Sequence, residues 1–188
     1  MTTPWQEFKE KWGNCHDCEY GFRRRRIVLA KGTIPCDVLF CGEAPGKGED
    51  SRGIPFCGES GARVLDPILE HAFDGYESVT RAFTNILACI PKDEEGNKVK
   101  TGNEISKKAI KACSARLDDF VTICRPKAII WVGGLAAKHG PRPEGKDILQ
   151  TEITHPAFIL RADRTNQGMA MQNCVAKIRS ILYDLTGE

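Results

Sequence analysis

Four short β-rich runs alternate along this chain with longer stretches of helical periodicity, and this alternation constrains the fold more than any other feature. The first run, 36–42, ends in a loop at 42–48 that contains three glycines and a proline. Further strands are predicted at 82–87, 128–133 and 150–155. Strands that alternate with helices imply crossover connections, a mostly parallel sheet and helices on both faces. We therefore predict an α/β fold, a three-layer α/β/α sandwich.

The stretches between and after these strands carry apolar residues at three- and four-residue steps, which is typical of amphipathic helices. Helices are predicted at 60–72, 106–123 and 169–185. The segment 91–103 is rich in Lys, Glu, Asp, Gly and Asn, and we expect it to form an exposed loop between a strand and a helix.

The length and composition indicate one globular domain spanning 1–188, because 188 residues can bury a core of ordinary size. With 41% hydrophobic and 28% charged residues, the disordered and fibrous classes are excluded. No apolar run approaches the about 20 residues that span a membrane. Residues 1–11 lack the apolar core of a secretory signal, so we expect a cytoplasmic protein without membrane contact. A net charge of +2 does not by itself indicate a nucleic-acid partner.

Ligands of open parallel sheets bind outside the carboxyl ends of the strands. The loops after Phe40, Ile86 and Thr154 are therefore expected to converge on one crevice. Function should reside there.

Nine cysteines stand out from an otherwise ordinary composition. An odd number without a secretory signal argues against a fully paired disulfide framework. Cys15 and Cys18 are two residues apart, a spacing that presents two sulfurs to one metal or cluster, and Cys89 and Cys113 would complete a four-thiolate site if the fold brings them there. For the pair alone, coincidence is an equal alternative. The remaining five cysteines occupy apolar contexts typical of core packing: Cys36, Cys41, Cys57, Cys124 and Cys174.

The loop 42–48 looks like a phosphate cradle, but its spacing does not match a P-loop or a dinucleotide fingerprint. Its other features are a tight turn that starts at Gly42 and a carboxylate, Glu43, at a strand end where a reacting water would be held. A plain connecting turn is the alternative interpretation.

Three further side chains are candidates for a pocket. Phe56 lies between backbone breakers and would expose a flat ring, although a core position is the alternative. Asn85 ends a predicted strand, where its amide offers a donor and an acceptor to a heterocycle edge. His155 closes the last strand and would stabilise developing negative charge, although a lone histidine is more often structural.

Taken in chain order, these residues resemble the iron–sulfur uracil-DNA glycosylases, family 4 of the uracil-DNA glycosylase superfamily. Several short motifs in the right order are more specific than any one of them. The matching motifs are Cys15-x-x-Cys18, Gly42-Glu-Ala-Pro-Gly46 with Glu49-Asp50, Gly53-Ile-Pro-Phe56 with Gly58 and Ser60-Gly61, Thr84-Asn85 with Cys89, then Cys113, and His155-Pro-Ala with Leu160-Arg161.

The resemblance implies a four-stranded parallel sheet and hydrolytic removal of uracil from single- or double-stranded DNA, leaving an abasic site for base excision repair. It implies a structural [4Fe-4S] cluster on Cys15, Cys18, Cys89 and Cys113, which pins the N-terminal segment. We expect the protein to act as a monomer.

The resemblance also gives the pocket residues their roles. Phe56 would stack on the flipped uracil, Asn85 would bind its edge, and His155 would stabilise negative charge on the departing base. Glu43 would position the water or stabilise the cationic sugar. Gly42 and Ala44 would contribute to the pocket through the backbone of their turn.

A local basic stretch adds a DNA contact, since residues 20–36 contain five basic side chains and no acidic one. The candidates for DNA binding are Arg23, Arg24, Arg25, Arg26 and, after the last strand, Arg161 with Arg164. A solvated charged turn is the alternative for the four consecutive arginines.

This chain departs from the family pattern after Cys89, where Ile-Pro-Lys-Asp-Glu-Glu follows, and we expect an altered DNA-facing loop there. The segment 91–112 contains no histidine, so covalent trapping of the product, as in a related branch, is not predicted. Two alternatives stay open. One is a non-catalytic nucleic-acid-binding module whose four cysteines hold zinc or a cluster; the other is an enzyme acting on modified bases or free nucleotides.

Overall fold

A central five-stranded sheet organises the protein in a computed structural model that describes residues 2–99, 105–141 and 147–187. The strands are β1 (Lys31–Gly32), β2 (Val38–Gly42), β3 (Arg81–Asn85), β4 (Ala128–Val132) and β5 (Leu149–Ile153). The α-helices are α1 (Pro4–Trp12), α2 (Glu19–Arg23), α3 (Lys47–Arg52), α4 (Asp66–Ala72), α5 (Lys107–Cys124), α6 (Gly134–His139), α7 (Pro156–Ile159) and α8 (Arg164–Thr186). A π-helical turn, Gly61–Leu65, leads directly into α4.

The sheet order is β1-β3-β2-β4-β5. β3, β2, β4 and β5 run parallel, which confirms the four predicted strands, and β1 pairs antiparallel to β3. The predicted count of four was therefore one strand short. β1 has two residues and no alternating apolar pattern, so hydrophobic periodicity gives no signal for it.

Helices cover both faces of the sheet, as predicted. β2 is buried along its whole length, and its side chains alternate between two cores. On one face Val38 and Phe40 belong to a core shared with α4 and α8. On the other face Leu39 and Cys41 belong to a core shared with α1, α5 and α6. The fold is therefore a three-layer α/β/α sandwich.

The predicted helices form, with altered ends. The predicted helix 60–72 is split into the π-helical turn and α4, where Pro67 lacks the N–H that a continuous α-helix would use. The last helix starts five residues earlier than predicted, because the side chain of Asp163 accepts a hydrogen bond from the Asn166 amide and caps it.

The predicted loop 91–103 is more ordered than its composition suggests. Lys92 and Lys98 form an antiparallel bridge, and the Asn97 amide donates to Asp93 Oδ1 over 2.7 Å, which makes residues 91–99 a small hairpin. Residues 100–103 of the predicted loop lie outside the described residues. Within the described part of the chain, no helix combines the length and apolar character needed to cross a membrane.

Candidate active site and candidate metal centre

The carboxyl ends of three strands meet at one edge of the sheet, as predicted. Gly42 at the end of β2 pairs with Asn85 at the end of β3. His155 follows β5 and packs against Gly133, which follows β4 with φ +95°. A Cβ on Gly133 would lie 3.0 Å from His155 Cβ, so the glycine lets the ring approach the sheet.

Phe56 and Asn85 lie against each other at the base of this edge. A Cβ at Gly42 would lie 2.4 Å from Asn85 Oδ1 and 2.6 Å from Phe56 Cζ, so only a glycine allows both side chains to pack there. Phe56 itself has φ +54°, a left-handed conformation that aromatic residues rarely adopt. The backbone is bent to place this ring.

Glu49 holds that bend. Its carboxylate accepts hydrogen bonds from the amides of Gly46 and Phe56, each 2.5 Å long, and so ties the loop after β2 to the aromatic residue. Glu49 belongs to one of the motifs that resemble the family, but no role was expected for it. Its signal was the spacing to Gly46, which is that of an N3 residue reaching back to a helix N-cap.

The Asn85 side chain is buried, with 2% exposed, and its Nδ2 has no hydrogen-bond partner within the described residues. Such a group costs about 1–3 kcal/mol when it stays unsatisfied. A buried donor that lacks a hydrogen-bond partner and lies near an aromatic ring is typical of a site that binds a planar polar ligand.

His155 has a defined tautomer. Its Nδ1 accepts a hydrogen bond from the Ala157 amide over 3.1 Å, so the proton of the neutral ring is on Nε2. Burial lowers the pKa of His155 to about 4, with smaller contributions from the positive charges of Lys98 and Arg161. At neutral pH the ring is a neutral donor rather than a cation.

His155 borders a cleft with about 790 Å³ of empty space, part of it open to solvent. Phe56 and Asn85 are buried and are not among its lining residues; Phe56 packs in the core rather than exposing its ring as expected. The cleft is lined by Glu43, Ala44, Gly46, Glu49, Ser60, Lys98, His155, Ala157, Phe158 and Arg161. The buried Glu43 carboxyl and the exposed Arg161 therefore share a cleft with His155. Phe158, 65% exposed, adds an aromatic surface at the rim.

Lys98 was not anticipated as a site residue. The hairpin carries it into the cleft, and the hairpin is anchored by Lys92, whose Nζ lies 2.9 Å from Asp50 Oδ2. Asp50 also accepts from the amides of Arg25 and Arg26, so one buried carboxylate ties the basic stretch to the hairpin. A long-range pairing of this kind has no local sequence signal.

The four consecutive arginines have different environments. Arg23 donates to Lys92 O and pairs with Glu94, whereas Arg24 turns inward and donates to Cys15 O over 2.7 Å. Arg25 and Arg26 are exposed. The prediction of DNA contact therefore rests chiefly on the exposed two.

The four cysteines of the predicted metal site line a single cavity on the other side of β3. Its walls are Trp12, Cys15, Asp17, Cys18, Gly21, Ile27, Ala88, Cys89, Ala112, Cys113 and Arg116, around about 330 Å³ of empty space, part of it open to solvent. Three separate segments therefore bring the thiols together: the turn between α1 and α2, the loop after β3, and α5.

The four thiols are not arranged as an ion-binding group in the part of the chain that the structure describes. In residues 2–99, 105–141 and 147–187, no three or more His, Cys, Asp or Glu side chains are arranged to hold a metal ion. Burial raises the pKa of Cys15 and Cys18, and raises that of Cys89 to about 12, so in the metal-free protein these sulfurs carry protons that a metal would displace.

The other five cysteines were predicted to lie mainly in the packed core, and four of them do. Cys36, Cys41, Cys124 and Cys174 are buried, and Cys57 is half-buried beside the Phe56 loop. All nine cysteines are free thiols.

Comparison with known proteins adds a family. A family model described as the uracil DNA glycosylase superfamily matches residues 30–179. That segment contains all five strands of the sheet, together with Glu43, Phe56, Asn85 and His155.

Curated relatives carry a more specific name. A type-4 uracil-DNA glycosylase of Sulfurisphaera tokodaii is 31% identical over 71% of this chain and 56% of its own length. Its counterpart in Pyrobaculum aerophilum is 30% identical over 71% of this chain and 62% of its own length. A type-4 enzyme of Thermotoga maritima is 25% identical over 84% of this chain and 83% of its own length. The match thus spans little more than half of the first two relatives.

Proposed function

This chain belongs to the uracil DNA glycosylase superfamily, and we propose that it removes uracil from DNA by hydrolysing the N-glycosidic bond. The products are free uracil and an abasic site. The names of its type-4 relatives support this substrate.

The observation that carries the proposal is the buried Asn85 amide, whose Nδ2 has no partner within the described residues and which lies against the Phe56 ring. Uracil presents a carbonyl acceptor next to an N–H donor on one edge. The Asn85 amide donates from Nδ2 to the carbonyl and accepts at Oδ1 from the N–H. The Phe56 ring stacks on the flat face of the flipped base. Cytosine presents a donor where uracil presents the acceptor, so it leaves Nδ2 unsatisfied.

Stabilisation of the leaving group falls to His155. In this reaction the bond between C1′ and N1 breaks, and its electron pair stays on the base, which departs as an anion. The Nε2–H of a neutral His155 donates to a carbonyl oxygen of that anion, and the positive charges of Lys98 and Arg161 favour it further.

Glu43 acts on the sugar and the attacking water, whereas His155 acts on the base. Its buried carboxyl lines the same cleft, where a carboxylate stabilises the positive sugar and orients a water. The water oxygen bonds to C1′, one water proton stays on the new hydroxyl, and the other leaves to solvent while the base anion gains a proton. Gly42 and Ala44 shape the turn that carries this carboxyl.

We propose that Cys15, Cys18, Cys89 and Cys113 hold a [4Fe-4S] cluster. The donors fit this group, since four thiols from three segments line one cavity and four cysteine thiolates are the usual ligands of such a cluster. When bound, the cluster supplies a structural cross-link between the N-terminal helices, the loop after β3 and α5. The residues of the cleft carry the reaction.

The partner in this proposal is single- or double-stranded DNA, with phosphates bound by the exposed Arg25 and Arg26 and by Arg161 at the cleft. Arg23 and Arg24 contribute mainly to holding the fold. One domain acting as a monomer inside the cell completes the proposal.

The test is incubation of the purified protein with uracil-containing single- and double-stranded oligonucleotides, followed by alkaline cleavage at abasic sites. We expect strand cleavage at the uracil position for the wild type. The Asn85→Ala variant should lose about 10²–10³-fold in rate, and Asn85→Ala with His155→Ala more, since each removes a group that acts on the base.

Matched controls are Asn173→Ala and His71→Ala, which change exposed residues of α8 and α4 away from the cleft. They should keep full activity. No product from the wild type, or full activity in the double variant, would overturn the proposal. A colourless protein that contains zinc would favour a non-catalytic binding module.

A further inference from the structure

Arg116 of α5 connects the four-cysteine cavity to the cleft. Its side chain lines the cavity and is 1% exposed. From there its guanidinium reaches the end of β3, where Nη1 donates to Thr84 Oγ1 over 3.0 Å, and Nη2 donates to the carbonyls of Asn85 and Ile86 over 2.5 and 3.1 Å. One side chain thus contacts the backbone of the base-binding residue and borders the metal cavity.

The charge of Arg116 has no carboxylate to balance it among residues 2–99, 105–141 and 147–187. Every acceptor it contacts is a neutral oxygen, and no carboxylate lies within ion-pair distance of it among the described residues. A buried cation without a counterion costs several kcal/mol. Its Nε, also buried, has no hydrogen-bond partner within the part of the chain described.

A second cation lies against the same cavity. Arg24 places Nη1 within 3.8 Å of Cys89 Sγ while it donates to Cys15 O. The carboxylate at this cavity, Asp17, is exposed and forms no ion pair with either arginine among the described residues. Two guanidinium groups and four thiols therefore share one largely apolar space.

Resting on the proposed cluster, we propose that Arg116 is a positioning residue that couples the metal centre to the base-binding end of β3. Its charge is balanced by the four thiolates of the bound centre, and its planar fork fixes the Asn85 and Ile86 carbonyls, and hence the Asn85 amide. Arg24 balances the same centre from the solvent side.

This role has a consequence that an ordinary core residue would not share. In the metal-loaded protein the cation faces thiolates and is stabilising. In the metal-free protein it is a buried charge that no carboxylate among the described residues balances. Replacing Arg116 with an apolar side chain should therefore weaken the loaded protein and leave the metal-free protein unchanged or more stable.

The experiment compares Arg116→Met, Arg116→Lys and a control, Lys111→Met, which removes a positive charge from the exposed face of α5. The first readout is the loss of absorbance near ~400 nm in excess iron chelator. We expect loss about tenfold faster for Arg116→Met, and close to the wild-type rate for Arg116→Lys, which keeps the charge, and for the control.

The second readout is hydrogen exchange of the backbone amides in residues 84–90. Lysine lacks the two-pronged donor geometry, so Arg116→Lys should speed exchange in this segment and weaken binding of free uracil about tenfold while it retains the cluster. Urea unfolding of the chelated proteins supplies the third readout, with Arg116→Met at least as stable as the wild type.

Cluster loss from Arg116→Met at the wild-type rate would overturn the charge role, and unchanged exchange in Arg116→Lys would overturn the positioning role. These readouts do not need glycosylase activity. A wild-type protein that releases no uracil therefore refutes the proposed function but still leaves both roles of Arg116 decided by cluster loss and exchange.

Discussion

Asn85 and Cys89 are only four residues apart along the chain, yet the cleft and the four-cysteine cavity are built in different ways. Asn85 lies at the carboxyl edge of the sheet, beside Gly42 and the turn that carries Glu43 into the cleft, and Cys89 lines the cavity. The cleft takes its residues from the ends of parallel strands, whose register is fixed by backbone hydrogen bonds within the sheet. The cavity takes its residues from loops and helices that no shared sheet aligns. This difference predicts that the cavity needs its metal to hold together, whereas the cleft depends on the sheet.

The largest effect should come from breaking the cavity. Cys89→Ser should abolish cluster binding and lower the free energy of unfolding by more than about 3 kcal/mol, because metal binding and folding are coupled at such sites. Chemical denaturation with an iron assay measures both. Cys57→Ser, which changes a half-buried thiol outside the cavity, is the control and should do neither. A Cys89→Ser protein as stable as the wild type would show that the cavity is not a cross-link.

The next largest effect should come from the cleft, where a substitution should lower the reaction rate and leave stability and cluster content nearly unchanged. His155→Ala should lower the single-turnover rate of uracil release about 10²–10³-fold, because it removes a donor to the departing base. Stability and cluster content should change little, since the ring lies at the end of the sheet rather than within it. Equal loss of rate and of cluster would contradict the separation of the two regions.

The pH dependence of His155 sharpens this point. Because its pKa is lowered to about 4, the folded protein keeps the ring neutral where an unfolded chain, with a pKa near 6.5, already binds a proton. The stability cost of this histidine is therefore absent above pH 6.5 and grows as the pH falls from 6.5 towards 4. NMR titration of the ring should give a midpoint below 5, and the rate should not fall between pH 8 and 6 through protonation of His155.

Two lysines of one hairpin give a smaller effect and a sharper contrast. Lys98→Met removes positive charge from the cleft and should lower the rate about tenfold with unchanged stability. Lys92→Met leaves the buried Asp50 carboxylate without its ion-pair partner, although the Arg25 and Arg26 amides still donate to it, and should lower stability by about 1–3 kcal/mol. Paired measurements of rate and urea midpoint separate them, and an equal loss of stability in both variants would refute the assignment of Lys98 to the cleft.

Much of this arrangement was predictable from the sequence. Short apolar strands followed by loops predicted Asn85 and His155 at one edge, and both lie at the carboxyl ends of their parallel strands. The cysteine spacing gave the pair Cys15 and Cys18, and the order of motifs supplied Cys89 and Cys113.

What sequence reasoning missed depends on contacts between distant segments. Glu49 acts through two backbone amides, Lys98 reaches the cleft because Lys92 pairs with Asp50, and Arg116 looks like any charged residue within an amphipathic helix. The sequence motif of four arginines likewise does not show that Arg24 turns inward while Arg26 stays exposed.

The smallest effect should come from Arg24 and Arg26. It tests which of the two side chains contacts DNA and which belongs to the four-cysteine cavity. Arg26→Ala removes an exposed charge, so it should weaken DNA binding a few-fold and reduce the slope of log K against log salt by about 1. Arg24→Ala removes a group that contacts Cys15 O and Cys89 Sγ, so it should leave that slope unchanged and speed cluster loss instead. Fluorescence anisotropy across a salt series, combined with the chelator assay, measures both quantities. A reduced slope in Arg24→Ala would place that residue on the DNA surface, because only a side chain that neutralises a phosphate changes the number of counterions released.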